Sequence, residues 1–126
     1  MHVLLQLRHK DLEVYKVSFE LLDECYKLIA VFPKEEKHSL AQQIRRASVS
    51  VLLNIAEGSS RISLIERKRF FEIARGSVVE VDTAFQIALH LNYVTELHLE
   101  KITLALRESF KKLSTMIKTL SAMTHK

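Results

Sequence analysis

Few side chains in this 126-residue sequence have the type and spacing that chemistry demands. A di-metal helical bundle needs inward glutamates and two Glu-x-x-His motifs on different helices. One such spacing exists, Glu35 to His38, and it falls at a helix start rather than in mid-bundle. His2, His9, His90, His98 and His125 show no ligand spacing, so no metal site is expected. Cys25, the single cysteine, has no base beside it and lies on an apolar stripe, as a buried, inert thiol would. The two glycines, Gly58 and Gly76, make no phosphate-cradling loop. The residues therefore predict no catalytic site, no cofactor and no small-molecule substrate, and the chain is expected not to be an enzyme.

What remains is electrostatic. The net charge of +4 is unevenly spread: residues 1–36 carry −2, residues 37–75 +5, residues 76–100 −4 and residues 101–126 +5. Oppositely charged helices lying side by side would absorb this pattern; so would one electropositive surface built from the two basic blocks. Arg45 and Arg46 have a local explanation, since a turn at Pro33 brings Asp23 and Glu24 level with them. Arg107 comes level with Glu80 in the same way. The runs Arg67–Lys68–Arg69 and Lys111–Lys112 are harder to neutralise. Candidate contacts to a polyanion are Arg45, Arg46, Arg61, Arg67, Lys68, Arg69, Arg75, Lys111 and Lys112. Few tyrosines and no tryptophan lie among them, and Phe70 and Phe71 fit a core seam better, so stacking on bases has little to work with. Binding of RNA or DNA through the backbone, insensitive to sequence and weakened by salt, is the expected mode. The competing reading is a protein-interaction scaffold whose charge only solvates it. Asn54 and Glu57 are the odd polar residues of the central helix; they either line a cavity or find partners, Glu57 in Arg61 and Asn54 across a helix pair.

These residues hang on four amphipathic segments. Ile44, Ala47, Val51 and Ile55 share one face of a helix over 42–57, widened by Val49, Leu52, Leu53 and Ala56, with Gly58 as a left-handed closing residue. Asp11 is a candidate N-cap for the first helix, whose seam is Leu12, Tyr15, Phe19, Leu22, Tyr26 and Ile29. A second stripe beside it, Val14, Leu21, Cys25, Leu28 and Phe32, is surplus to an intramolecular bundle and is expected to meet another copy of the chain. Pro33 ends this helix, and the next starts at Pro33 or at Ser39. Ser63 and Glu66 form a capping box for a third helix to about His90, along Phe70, Ile73, Ser77, Val81, Ala84 and Ala88, where Gly76 and Ser77 permit close approach of a neighbour. Asn92 suits a left-handed cap, and Thr95 opens a fourth helix along Leu99, Ile102, Leu106, Phe110, Leu113, Ile117 and Leu120. Short loops force antiparallel neighbours, so the fold class is all-α: an antiparallel up-down-up-down four-helix bundle over 11–122, with an arm at 1–10 and a tail at 123–126.

Length and composition agree. One domain of this size buries roughly two-thirds of its extended-chain surface. Two glycines, one proline and abundant Leu, Ala, Glu, Lys and Arg favour helix. No apolar run approaches a membrane span, no signal-peptide core is present, and a lone cysteine fits a reducing compartment, so a cytoplasmic location is expected.

The segments DLEVYK at 11–16, FPKEEKHSLAQQIRRASVSV at 32–51, NIAEGSSR at 54–61 and FFEIARGSVVEVDTAFQIALHLNYV at 70–94 together resemble the bacterial four-helix-bundle proteins encoded in 23S rRNA intervening sequences. The resemblance runs from about Asp11 to Leu120. Leu52 stands where the family commonly has proline, implying a straighter helix, and Asn92 where it usually has glycine. The resemblance implies a ring-like homopentamer. It extends to the accessory proteins of diversity-generating retroelements, basic pentamers that engage a reverse transcriptase and nucleic acid.

Overall fold

Apolar residues at steps of three and four build four helices in the computed structural model, which describes residues 4–124. They are α1, Glu13–Ile29; α2, Leu40–Ser60; α3, Leu64–His90; and α4, Glu100–Thr124. No strand occurs among the described residues. Each helix packs on its two flanking neighbours: α1 on α2 and α4, and α3 on α2 and α4, with α2 against α3 the most extensive contact. Short connections set this up-down-up-down order. The core runs through Leu21, Ile44, Val51, Ile55, Val81, Ile102 and Leu113, all fully buried or nearly so.

Helix ends follow local chemistry. Ser63 Oγ accepts from Glu66 N–H at 3.3 Å, half of the capping box expected there. Asn92 adopts φ 62°, and Tyr93 N–H donates to the Ala88 carbonyl at 2.8 Å while Asn92 N–H donates to Leu89, the double bond of a Schellman motif. Thr95 and His98 bond reciprocally: His98 N–H donates to Thr95 Oγ1 and Thr95 N–H to His98 Nδ1. A short 3-10 turn, Leu97–Leu99, then leads into α4. Pro33 does not open α2; it precedes a 3-10 turn at Lys34–Glu36, and α2 begins after Ser39, where Leu40 N–H donates to Glu36 Oε1 at 3.2 Å. Asp11 is not the cap of α1. It ends a 3-10 turn, Arg8–Asp11, and the cap position falls to Leu12. That turn packs on α1 and α2, so part of the predicted arm is structured, and α4 continues through Thr124 into the predicted tail. Residues 1–3 of the arm and 125–126 of the tail lie outside the described residues.

Two expectations reverse. Gly58 is not a left-handed closing residue: no glycine has positive φ, and α2 continues to Ser60. Gly58 is instead a close approach, because a Cβ there would lie 2.7 Å from the Phe71 ring. Gly76, expected at a close helix contact, has nothing within 4 Å of a Cβ. The second reversal is the rotation of α1. Val14, Leu21, Cys25, Leu28 and Phe32 are buried inside the single chain and cannot meet a second copy, while Leu12, Phe19 and Tyr26 of the supposed seam are exposed. Ser18 lies on the inward line too, fully buried between Val14 and Leu21 along the helix. Its hydroxyl donates to the Val14 carbonyl at 2.6 Å, which completes an unbroken core-facing line that a count of apolar residues alone leaves interrupted.

Candidate nucleic-acid interface

The nine predicted basic contacts form three groups. The tightest is the turn between α2 and α3. Arg67 Nε donates to the Arg61 carbonyl at 2.5 Å, and Arg61 N–H donates to Gly58 at 3.2 Å, so both sides of the turn are tied down. The guanidiniums of Arg61 and Arg69 lie over the Phe70 ring at 4.9 and 5.2 Å from its centroid. Phe70 is thus a half-buried platform under two cations rather than a core seam residue, while Phe71 beside it fills the space over Gly58. Arg61 also pairs with Glu57 at 3.1 Å, as the sequence suggested for Glu57. Arg67, Lys68 and Arg69 have no carboxylate partner among the described residues. Two residues that the charge pattern does not flag stand out here. Ile62 is 96% exposed and Ile65 70% exposed.

The second group follows α3 and α4. Arg75 Nη1 donates to Ser114 Oγ at 3.1 Å and its guanidinium lies over Phe110 at 5.6 Å; Phe110, expected on the core line, is 43% exposed. Lys111 and Arg107 flank the groove in which Phe110 sits. Lys112 is held by Glu108 at 3.7 Å. Arg107 and Glu80 make no ion pair among the described residues.

The third group, Arg45 and Arg46, sits near the start of α2, toward the opposite end of the bundle. The ion pairs expected with Asp23 and Glu24 are not made. Glu24 bonds Lys27 at 3.3 Å, and Arg45 turns back along its own segment to the Lys37 carbonyl at 2.6 Å and Gln42 Oε1 at 3.0 Å. Both arginines border a groove with Tyr26, Val49 and Leu53, of which Leu53 is the most exposed. Asn54, also on this groove, donates to Ser50, and Ser77 Oγ meets Ser50 Oγ at 2.9 Å. The link across α2 and α3 therefore runs through Ser50, and Asn54 bonds within its own helix.

No other constellation rivals the cations. No cluster of metal-ligating side chains occurs among the described residues. Burial pushes the Cys25 thiol up to about 12 despite a hydrogen bond with Ser48, which leaves it un-ionised near neutrality. His9, expected at the surface, is buried and its ring meets Tyr15 edge-on at 4.9 Å. Tyr93 donates to Glu36 Oε2 at 2.7 Å, and that carboxylate holds the phenol above its usual range. The contact ties the α3–α4 connection to the α1–α2 connection. No helix among the described residues is long and apolar enough to cross a membrane.

The sequence pattern of the 23S rRNA-intervening sequence protein family matches residues 10–124. Among solved structures, a protein of unknown function from the S23 ribosomal protein family of Bacteroides thetaiotaomicron is similar in fold: 24% identical, with a TM-score of 0.75, covering 83% of this chain and 98% of that one. No curated protein matches. With all four helices inside the matched residues, the chain belongs to the 23S rRNA-intervening sequence protein family.

Proposed function

We propose that this chain is a non-enzymatic, homo-oligomeric bundle that binds the backbone of RNA or DNA. The observation that carries this reading is the set of cations left without carboxylates: Arg67, Lys68 and Arg69 at one end, and Arg75 and Lys111 along α3 and α4. Lysine and arginine that no acid neutralises are what a polyphosphate displaces counterions to reach. Self-association, as a pentamer by the family resemblance, would repeat the patch and add weak contacts through effective concentration. Its support is the exposed apolar groove of Tyr26, Val49 and Leu53. The same groove favours a second reading, a scaffold that docks a protein such as a reverse transcriptase without touching nucleic acid. A cytoplasmic site of action fits either reading.

The test is binding to structured RNA and duplex DNA over a range of salt. Affinity is expected to fall steeply as salt rises. Reversing Lys68 and Arg69 together should flatten that dependence while the melting temperature stays near wild type, whereas adding the reversal of Arg67 also breaks its bond to the Arg61 carbonyl and should lower the melt. If the wild-type protein binds neither nucleic acid at low salt, the scaffold reading replaces this one.

A further inference from the structure

The turn between α2 and α3 carries two isoleucines that the fold does not use. Of the apolar residues there, Leu64 packs partly against the core, whereas Ile62 is 96% and Ile65 70% exposed. Isolated exposed aliphatic residues are ordinary. These two are set among Arg61, Arg67, Lys68 and Arg69, in a turn that is fixed rather than loose. Arg67 Nε holds the Arg61 carbonyl at 2.5 Å, Ser63 caps α3, and two guanidiniums clamp Phe70. Isoleucine adds a side chain stiff at χ1. A stiff apolar tip on a rigid support, with cations before and after it in the chain, has the build of a wedge: it loses little entropy on insertion, and the cations can reach phosphates beside it.

We propose that Ile62, with Ile65 behind it, inserts at a weakened stack in duplex nucleic acid while Arg61, Arg67, Lys68 and Arg69 grip the flanking phosphates. This rests on the backbone-binding reading above and adds a preference for shape: helices carrying an unpaired nucleotide over perfect ones, because their stack is already partly broken. An anionic membrane suits the tip less well. Stable membrane anchoring takes a large apolar face or several signals. Here α2 ends and α3 begins at the turn, where two large apolar side chains, Ile62 and Ile65, are exposed.

The test compares a short perfect duplex with the same duplex carrying an unpaired nucleotide, in RNA and in DNA versions, with 2-aminopurine beside the bulge. Wild type is expected to bind the bulged form of at least one version about tenfold more tightly, the worth of partly burying an aliphatic side chain. 2-Aminopurine should brighten as the stack opens. Ile62→Ser with Ile65→Ser should abolish both the preference and the brightening while perfect-duplex affinity and melting temperature stay at wild-type values. Ile62→Val, which keeps the β-branched stiffness, should retain them. Both positions are exposed, so an unaltered melt reports an intact fold. Equal wild-type affinity for bulged and perfect duplexes overturns the wedge and leaves backbone binding standing. Failure to bind any duplex at low salt overturns both. Binding to phosphatidylserine vesicles that the serine variant loses, with no preference for the bulge, assigns the tip to a membrane and overturns the wedge.

Discussion

Gly58 and Gly76 look alike in sequence and differ in every physical respect. A methyl group at Gly58 would meet Phe71 Cε1 at 2.7 Å and Cδ1 at 2.9 Å. The ring lies against the core, so it cannot swing clear. Gly58→Ala gains helix propensity but overpacks the α2–α3 contact, and a net loss of about 1–2 kcal/mol is expected from urea unfolding. Gly76→Ala meets nothing and should gain about 0.5–1 kcal/mol in the same measurement. Cys25 makes a prediction about pH. Its charged form is the thiolate, which burial disfavours, so its folded-state value rises from 9.0 to about 12. Between those values the unfolded chain has lost a proton that the folded chain keeps. The associated stability is complete below the unfolded value and is lost as pH climbs toward the folded one, at no more than about 1.4 kcal/mol per pH unit. The stability advantage of wild type over Cys25→Ala should therefore shrink as pH rises from about 9 toward 11, measured by urea unfolding of both proteins. An advantage that stays flat across that range would contradict the burial of the thiol.

At the scale of the element, α1 is the instructive helix because it has apolar residues on two faces. Its inward line alternates large and small: Val14, Ser18, Leu21, Cys25, Leu28. Small residues let α2 and α4 approach, and Tyr15 and Ile29 close the edges of the contact. The outward line leaves Phe19 and Tyr26 about half exposed, with Tyr26 beside Leu53 of α2. Leu21 and Leu53 therefore separate folding from assembly. Leu21→Lys places a charge at a position with no exposure and should unfold the chain, a cost of several kcal/mol visible as loss of helical circular dichroism. Leu53→Lys, at a position 61% exposed, should leave the helical circular dichroism of the folded chain unchanged. In light scattering the proposed assembly gives a mass several times 14.6 kDa, and Leu53→Lys should reduce it. A wild-type protein that remains monomeric at micromolar concentration would remove the oligomer from the proposed function. Two monomer-like masses with different melts would still confirm the inward rotation of α1.

Over the whole molecule, the cations fall in groups set at different heights along the bundle. Arg61, Arg67, Lys68 and Arg69 mark the α2–α3 turn, Arg75 and Lys111 the α3–α4 side, and Arg45 and Arg46 the region where α2 begins. An extended polyanion can meet groups that are helix lengths apart. The bundle is also braced at the end opposite the basic turn, where Tyr93 bonds Glu36 and Phe32 packs edge-on against Phe85 at 6.1 Å. Basic turn and braced end are separate, so charge reversal at the former leaves the main core contacts intact.

Four helices, their antiparallel order, the Asn92 cap and the family were legible in the sequence, because periodicity, short loops and a φ-permissive residue are local properties that packing seldom overrides. The core lines of α2 and much of α3 and α4 were legible for the same reason. What only the tertiary structure decided is rotation and proximity. Two apolar stripes on α1 score alike by periodicity, and only packing against α2 and α4 decides which turns inward; Ser18 on the inward line is satisfied there by the Val14 carbonyl. Whether Gly58 closes a helix or admits a ring depends on Phe71, which arrives from another helix. The partners of Arg45, Arg61 and Arg75 depend on which groups lie within a few ångströms, and level along an antiparallel pair does not fix that distance. The exposure of Ile62 and Ile65 is likewise a property of the folded turn: a sequence assigns them hydrophobicity, and only the surrounding chain decides whether anything covers it.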